Sequence, residues 1–244
     1  GCGVTRRIPQ GKYLLQKNEI ETDESVPREE RITAAEIDRY VRQQPNKRFL
    51  GTNFYLWTYL SANPDKQNWW NNLKRRIGEA PVYLDTLQTE RSASNIKIYM
   101  DSRGYFNSEA SYEIDTTSRR RAVVTYRTKQ GRPYRIGQIK YRFRDRSLAP
   151  IILEDTAASL LHEGNVLDFT VLDKERSRIS NALRDNGYFN FTMNNILYEV
   201  DTTVGGYRAD VTVEVRQNLM GYNDRGQPIM GNNTVYRLRN VNLF

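Results

Sequence analysis

The sequence predicts an α+β protein made of tandem β-α-α-β-β units, each a three-stranded mixed sheet with two helices packed on one face. Three observations lead to this prediction. A motif containing GYF occurs twice, and its glycines, Gly104 and Gly187, are 83 residues apart (187 − 104). Within each copy the hydrophobic period changes from about four to two. An additional alternating segment lies upstream of each copy.

The helix of each copy is indicated by apolar residues four positions apart, a spacing that places two side chains on one helix face. These pairs are Ile96 with Met100 and Ile179 with Leu183. Gly104 and Gly187 follow where each apolar stripe ends. A residue without Cβ suits the left-handed backbone that commonly closes a helix, so each glycine is predicted to stop its helix.

Two strands follow each helix, because the apolar positions then alternate with polar ones. The apolar positions are Ala110, Tyr112 and Ile114, then Ala122, Val124 and Tyr126, in the first copy, and Ala209, Val211, Val213 and Val215 in the last strand of the second. The polar connections DTTSRR and DTTVGGYR between the strands are typical of hairpins.

Each hairpin needs other elements over its apolar face, since two strands alone are marginally stable in water. Residues 13–22 (YLLQKNEIET) and the stretch RPYRIGQIKYRFRD supply one more strand to each unit. Thr33 and Glu36 form a capping box that opens a helix in the first unit. Residues 151–161 are the counterpart of this helix in the second unit.

Four segments follow from these elements. Residues 1–12 are predicted to be a tether, and residues 13–131 a first unit with an aromatic-rich helical insertion at about 46–80. Residues 132–217 form the second unit. Residues 218–244 are predicted to hold a linker and the first strand of a truncated third unit, because TVYRLRNVNLF resembles RPYRIGQIKYRF.

The single cysteine excludes a disulfide framework within the chain. Cys2 follows Gly1, and this GC pair resembles the end of a bacterial lipobox, in which the cysteine carries the lipid. The alternative is a stray cysteine after a cloning residue. Residues 4–11 (VTRRIPQG) are typical of a tether, and two or three acyl chains would hold such a tether at a membrane.

Few residues suit catalysis. With one histidine, His162, and one cysteine, a zinc site and a Cys/His nucleophile are excluded, and His162 near a helix end has a structural or surface role. Asp115 and Asp201 recur in DTT, where hairpin turns favour aspartate, rather than as paired catalytic carboxylates. No glycine-rich phosphate loop follows a strand. The sequence therefore predicts neither an enzyme nor a cofactor.

Aromatic and basic residues are concentrated in NFYLWTYL and NWWNNLKRRI, and the net charge of +8 favours acidic partners. A stacking platform for nucleic acid, an exposed binding surface and core packing are the three interpretations. Trp70, Leu73 and Ile77 have helical spacing, with Gly78 as the stop. This spacing favours core packing, and no nucleic-acid partner is predicted.

The order β-α-α-β-β, with GYF closing the second helix, resembles the polypeptide-transport-associated (POTRA) domains of outer-membrane assembly proteins of the BamA and TamA kind. IKIYMDSRGYF and ISNALRDNGYF carry this resemblance, each followed by two strands. Together with Cys2, the opening GVTRRIPQGKYLLQKNEI is similar to the lipid-anchored TamA-like branch of Bacteroidetes. The first unit departs from the family because its insertion makes it longer than a usual POTRA domain.

The resemblance implies a non-enzymatic region in the periplasm, attached to the outer membrane of a Gram-negative bacterium. It would bind unfolded outer-membrane protein clients, or an inner-membrane or periplasmic assembly partner, and pass clients to a downstream β-barrel. The membrane link would be the lipid anchor and that barrel. The alternative is a free-standing periplasmic lipoprotein that binds an anionic ligand, such as a glycan or nucleic acid, through its basic strands.

The resemblance also implies where partners bind. Residues 109–115 and 192–200 would be free sheet edges that accept an extended peptide by β-augmentation. The alternative is that these edges pack on a neighbouring unit. The candidate partner-binding residues are Glu109, Ser111, Glu113, Leu197, Tyr198 and Val200 on the edges, with Lys140, Arg142 and Arg144 on the basic strand.

Overall fold

The computed structural model describes residues 8–49, 52–62, 68–117 and 119–236, so Cys2 and the last predicted strand lie outside the described residues. The chain divides into two compact units. Unit 1 comprises Gly1–Asp101 and Asn107–Gly131, and unit 2 comprises Ser102–Phe106 and Arg132–Phe244. Each unit contains a mixed three-stranded sheet with helices, as predicted for this α+β fold.

Unit 1 follows the predicted order, with two further helices in the insertion. Its elements are β1 (Leu14–Glu21), α1 (Ala34–Asp38), α2 (Phe54–Ser61), α3 (Trp69–Ile77), α4 (Thr86–Ser102), β2 (Glu109–Thr117) and β3 (Arg121–Lys129). Strand β3 is central, parallel to β1 and antiparallel to β2. Ile96, Met100, Val124 and Tyr126 are buried, which confirms the apolar face of the helix and of the strand. The predicted capping box is also confirmed, because Glu36 N donates to Thr33 Oγ1 and Thr33 N donates to Glu36 Oε2.

Unit 2 repeats this topology. Its elements are β4 (Arg135–Phe143), α5 (Ala149–Glu154), α6 (Phe169–Asp185), β5 (Ile196–Asp201), β6 (Arg208–Val215), β7 (Asn218–Tyr222) and β8 (Pro228–Gly231). Strand β6 is central, parallel to β4 and antiparallel to β5. The helix predicted for residues 151–161 is shorter and earlier, because after Glu154 the chain tightens into the 3₁₀ turn Asp155–Ala158.

The β7–β8 hairpin was not predicted within residues 218–244. The turn between its strands is closed by Asn223, whose Oδ1 accepts hydrogen bonds from Arg225 N and Gln227 N. Gly226 has a φ of 71°, the left-handed region that glycine favours. The Asp-Arg-Gly sequence of this turn is itself a hairpin signal.

The two GYF glycines are left-handed, as predicted, with φ of 88° at Gly104 and 91° at Gly187. Both also lie against other backbone within unit 2. A Cβ on Gly104 would lie 2.7 Å from the Leu167 carbonyl oxygen, and one on Gly187 would lie 2.8 Å from that of Tyr236. The sequence indicated the conformation but not this close approach.

Each GYF glycine also binds the same kind of residue. The carbonyl oxygen of Gly104 accepts a hydrogen bond from Tyr134 N at 2.8 Å, and that of Gly187 accepts one from Tyr236 N at 2.8 Å. Tyr134 and Tyr236 are the tyrosines that correspond in RPYR and TVYR. Each repeated glycine is therefore the hydrogen-bond acceptor of the corresponding downstream tyrosine.

The prediction that Trp70, Leu73 and Ile77 pack in the core is wrong for Trp70 and Ile77, whereas Leu73 is half-buried. These residues do lie on one face of α3, but Trp69 and Trp70 are 64% and 63% exposed and Ile77 is also exposed. In α2, Trp57 is 59% exposed. The buried residue of α3 is Asn71, so the most covered side of this helix is polar, and most of its apolar face is exposed. Periodicity showed which residues share a face but not which face is covered.

Candidate functional site

One edge of each sheet is covered by the chain itself. In unit 1, Leu15 N donates to Val82 O at 2.9 Å and Leu84 N donates to Tyr13 O at 2.8 Å, so residues 82–84 occupy the outer edge of β1. In unit 2, Ile136 N donates to Asn165 O at 2.8 Å and residues 164–166 cover β4 in the same way. In both units, the covering segment lies just before the 17-residue helix, α4 in unit 1 and α6 in unit 2.

Two amide side chains fix the covering segment of unit 1. Asn46 is buried; its Nδ2 donates to Ala80 O at 2.7 Å and its Oδ1 accepts from Val82 N at 2.9 Å. Gln43 binds the next residues, through Nε2 to Tyr83 O and through Oε1 from Asp85 N. These bonds hold both ends of the insertion against the sheet.

The opposite edges are β2 in unit 1 and β5 in unit 2, the last strands in the orders β1-β3-β2 and β4-β6-β5. Within the described part of the chain, no backbone hydrogen bond joins the outer side of either strand to another segment. An uncovered strand presents a row of unpaired N–H and C=O groups, which can accept another strand. Each unit therefore has one covered and one open edge.

The backbone groups that face outward can be identified in β5. Arg216 N donates to Asn195 O at 2.8 Å, and these residues continue the register in which Ile196 lies opposite Val215. In an antiparallel pair the hydrogen-bonded positions alternate. Leu197, Glu199 and Asp201 therefore bond to β6, whereas Tyr198 and Val200 turn their N–H and C=O groups to the open side.

The outward-facing backbone groups of β2 can be identified in the same way. Arg120 and Tyr207 occupy equivalent positions, since both have positive φ (52° and 55°) and both carbonyl oxygens accept from the first residues of β1 and β4. Strand β3 therefore alternates as β6 does, and its residues 121, 123 and 125 bond to β2. Their partners include Asp115. Ala110, Tyr112, Ile114 and Thr116 consequently face the open side.

Some of the predicted edge residues have backbone groups that bond to the central strand, and others have backbone groups that face the open side. Glu109, Ser111 and Glu113 are exposed, but their backbone groups face β3, and the carboxylates of Glu109 and Glu113 pair with Lys129 and Arg127. Leu197 likewise faces β6. Tyr198 and Val200 have outward N–H groups. Burial raises the pKa of the Tyr198 phenol, whose hydroxyl donates to Leu172 O at 3.0 Å.

The predicted basic residues are paired with carboxylates. Arg142 Nη1 lies 2.7 Å from Glu199 and 3.0 Å from Glu214, and Arg144 Nε lies 3.6 Å from Glu214. Lys140 Nζ is 3.9 Å from Asp210. The hydrogen bond from Arg142 lowers the pKa of the Glu214 carboxyl. These basic residues therefore belong to a network of ion pairs, in which Glu214 also binds Arg216, rather than to a strip of unpaired cations.

A groove adjoins the open edge of unit 1. It has a volume of about 840 Å³ and is lined by residues that include Tyr13, Tyr83, Asp85, Ile114 and Thr116. Ile114 and Thr116 are edge residues with outward N–H groups, so the groove lies beside the hydrogen-bonding positions.

The described residues contain no group of three or more His, Cys, Asp or Glu side chains placed to hold a metal ion. The Asp201 carboxylate accepts hydrogen bonds from the backbone and hydroxyl of Thr203, which confirms its predicted turn role. The same prediction is wrong for Asp115, which lies within β2 opposite Val123. Within the described residues, no helix combines the length and apolar character needed to cross a bilayer.

No family model and no curated protein matches the chain. Among solved structures it is similar to POTRA3-5 of Haemophilus influenzae BamA, with 14% identity, a TM-score of 0.41 and coverage of 86% of this chain and 68% of that one. It is also similar to POTRA1-2 of the periplasmic domain of Omp85 from Anabaena (14%, TM-score 0.36, 85% and 96%) and to CdiB from Escherichia coli (14%, TM-score 0.31, 89% and 32%). The chain thus spans about a third of that CdiB chain.

Proposed function

We propose that this chain is a periplasmic POTRA region of an outer-membrane protein assembly or translocation factor, and that it binds unfolded clients or partner proteins by β-augmentation. The observation that carries this proposal is the asymmetry of the sheets. In each unit one edge is covered by the unit's own backbone, whereas none of the described residues covers β2 or β5.

Backbone recognition suits a protein with many clients. Main-chain N–H and C=O groups are the same in every peptide, so an added strand gains hydrogen bonds without requiring a particular sequence. Pockets for alternate side chains then supply preference, and the groove beside Ile114 and Thr116 is placed to do so. The two GYF motifs, in their β-α-α-β-β context, support the POTRA interpretation of these units.

Two finer features belong to the same proposal. The complete protein would belong to the lipid-anchored TamA-like branch, with Cys2 as its acylated residue at the outer membrane. Clients bound at the edges would pass to a barrel elsewhere in that protein. The alternative, binding of an anionic ligand through the basic strand, has less support, because Lys140, Arg142 and Arg144 all have carboxylate neighbours.

Proline substitution separates the outward from the inward positions of the edges. Thr116→Pro with Val200→Pro removes one outward N–H from each edge, so we expect a folded protein whose affinity for a denatured outer-membrane protein segment falls about two- to tenfold per edge. The matched variant, Asp115→Pro with Glu199→Pro, removes ladder bonds and should lower the melting temperature instead. Fluorescence anisotropy titration and thermal unfolding measure the two effects.

The salt dependence of binding and a variant with neutralised basic residues distinguish β-augmentation from binding through cations. Augmentation should lose little affinity between low and moderate salt, whereas binding through cations falls steeply. If the outward proline variant binds as tightly as the parent while Lys140→Gln with Arg144→Gln abolishes binding, β-augmentation is rejected and the anionic-ligand function takes its place.

Lipidation at Cys2 has its own test. When the complete gene is expressed, labelled fatty acid should be incorporated into the parent protein and not into Cys2→Ser, while the thermal unfolding of the chain stays unchanged. Equal labelling of the two proteins would disprove the anchor and leave the edge-binding proposal standing.

A further inference from the structure

Three of the four residues in the apolar stripe of α3, Trp69, Trp70 and Ile77, are exposed, and the fourth, Leu73, is half-buried. Successive residues of an α-helix are about 100° apart, so Trp69, Trp70, Leu73 and Ile77 fall within a sector of about 100°. Asn71, the buried residue of this helix, lies about 150° from the centre of that sector. A core helix has the reverse arrangement, with its apolar sector covered and its polar residues in water.

Cations flank this stripe on both sides. Lys74 lies about 40° beyond Trp70, and Arg76 lies about 20° beyond Trp69 on the opposite side. Helix α3 contains no acidic residue, and α2, which packs against it, contains no charged residue at all. The helix dipole favours cations in the last turn, which accounts for the position of Lys74 and Arg76 but not for two exposed tryptophans in the first turn.

The exposed face is held in place by close backbone packing. A Cβ on Gly78, which ends α3, would lie only 2.4 Å from Tyr59 N in α2. Glu79 N donates to Tyr55 O at 3.1 Å, and Asn46 holds the returning chain at Ala80. Trp69 and Trp70 also contact each other edge to face, with ring centroids 4.4 Å apart. The stripe is thus a preformed surface of unit 1.

We propose that this face of α3 binds the surface of an anionic phospholipid bilayer. Tryptophan rings are favoured at the boundary between head groups and acyl chains, where an apolar body and a polar N–H are both accommodated. Lys74 and Arg76 would meet phosphate groups, and each cation near an anionic surface contributes about 1 kcal/mol. A helix of nine residues is too short to span a bilayer and would lie in its surface.

The charge pattern favours lipid over a protein partner. A protein surface that covered this stripe would need carboxylates on two sides of an apolar strip, whereas an anionic head-group layer surrounds an inserted ring with phosphates everywhere. This membrane contact goes beyond the proposed edge binding and does not depend on it, because the edges are on β2 and β5.

The tryptophans themselves report on binding, since the chain has three, at positions 57, 69 and 70. On titration with vesicles of phosphatidylglycerol and phosphatidylcholine, we expect their emission to shift to shorter wavelength and to be quenched by brominated acyl chains. Vesicles of phosphatidylcholine alone should bind more weakly. Trp69→Ser with Trp70→Ser, and separately Lys74→Gln with Arg76→Gln, should each lower vesicle partitioning by at least about tenfold.

The matched control is Met220→Ser with Tyr222→Ser in β7, where the side chains are 64% and 65% exposed. This variant should partition like the parent, and all variants should keep the parental circular dichroism. Three results would overturn the proposal: no emission shift of the parent with anionic vesicles, parental binding by the tryptophan variant, or loss of binding in the β7 control alone. A concentration-dependent emission shift without lipid, matched by a dimer in sedimentation, would assign the stripe to a second copy of this chain.

Discussion

Replacing Glu175 with alanine is expected to lower the free energy of unfolding of unit 2 by about 3–5 kcal/mol, the cost of breaking a buried ion pair. Glu175 is fully buried on α6. Its carboxylate accepts hydrogen bonds from Ser159 Oγ and Leu160 N, each at 2.9 Å, and from Arg178 through Nε and Nη2 at 2.9 and 2.8 Å. Alanine would leave the Leu160 N–H and part of the Arg178 guanidinium without acceptors.

The stabilisation that Glu175 provides should decrease as the pH is lowered. Burial acts to raise the pKa of the Glu175 carboxyl, but the hydrogen bonds from Arg178, Leu160 and Ser159 outweigh it, so the pKa lies below its ordinary value of 4.5. Such a group stabilises the fold above the unfolded-state pKa, and the stabilisation is lost as pH falls through the folded-state pKa. The stability difference between the parent and Glu175→Gln should therefore narrow at acidic pH.

Urea unfolding at neutral and acidic pH measures both effects. Glu163→Ala is the matched control, because Glu163 is exposed and should change stability by no more than a few tenths of a kcal/mol. A loss at Glu175 that is no larger than this control would contradict the assigned role of the buried carboxylate.

The position of Glu175 in the sequence indicates that its side chain is buried. It lies four residues before Ile179 and eight before Leu183, on the apolar stripe that predicted the helix. A carboxylate on that stripe, three residues before an arginine, is a readable sign of a buried ion pair. The equivalent residue in unit 1, 83 positions earlier, is Ser92, which is also buried and accepts a hydrogen bond from Arg42 N at 2.9 Å.

Part of the arrangement at the covered edges could also be predicted from the sequence. Asp85 and Asp168 are 83 residues apart, and each begins a helix: Asp85 Oδ1 accepts from Leu87 N, and Asp168 Oδ1 accepts from Thr170 N. The repeat thus extends upstream of the GYF motif. That the preceding backbone pairs with β1 and β4 could not be predicted, because this pairing uses main-chain groups with no signature in side-chain periodicity.

The outward face of α3 lies beyond sequence reasoning for a different reason. Periodicity places Trp70, Leu73 and Ile77 on one side of a helix, and a buried side is the usual outcome for such residues. The side that is covered depends on two contacts between residues far apart in the chain. These are the hydrogen bond from Asn46 to Ala80 O and the close approach of Gly78 to Tyr59.

Gly187→Ala and Gly104→Ala are each expected to destabilise unit 2 by about 2–5 kcal/mol. A residue with a Cβ in the left-handed region costs about 1–2 kcal/mol. The added Cβ must also displace backbone, since it would lie 2.8 Å from Tyr236 O or 2.7 Å from Leu167 O, and overpacking of this kind costs about a further 1–3 kcal/mol. Denaturant unfolding measures the sum.

Gly164→Ala separates the two costs. Gly164 has a similar φ of 86° in the same unit, but a Cβ there would have no neighbour within 4 Å. It should therefore carry only the conformational cost of about 1–2 kcal/mol.

Hydrogen exchange adds a local measurement. The Tyr236 amide should lose protection in Gly187→Ala and the Tyr134 amide in Gly104→Ala, because each donates to the substituted residue's carbonyl. If all three variants lose equal stability and both amides stay protected, the glycines serve only to end their helices, and the close contact with the YR segments has no energetic role.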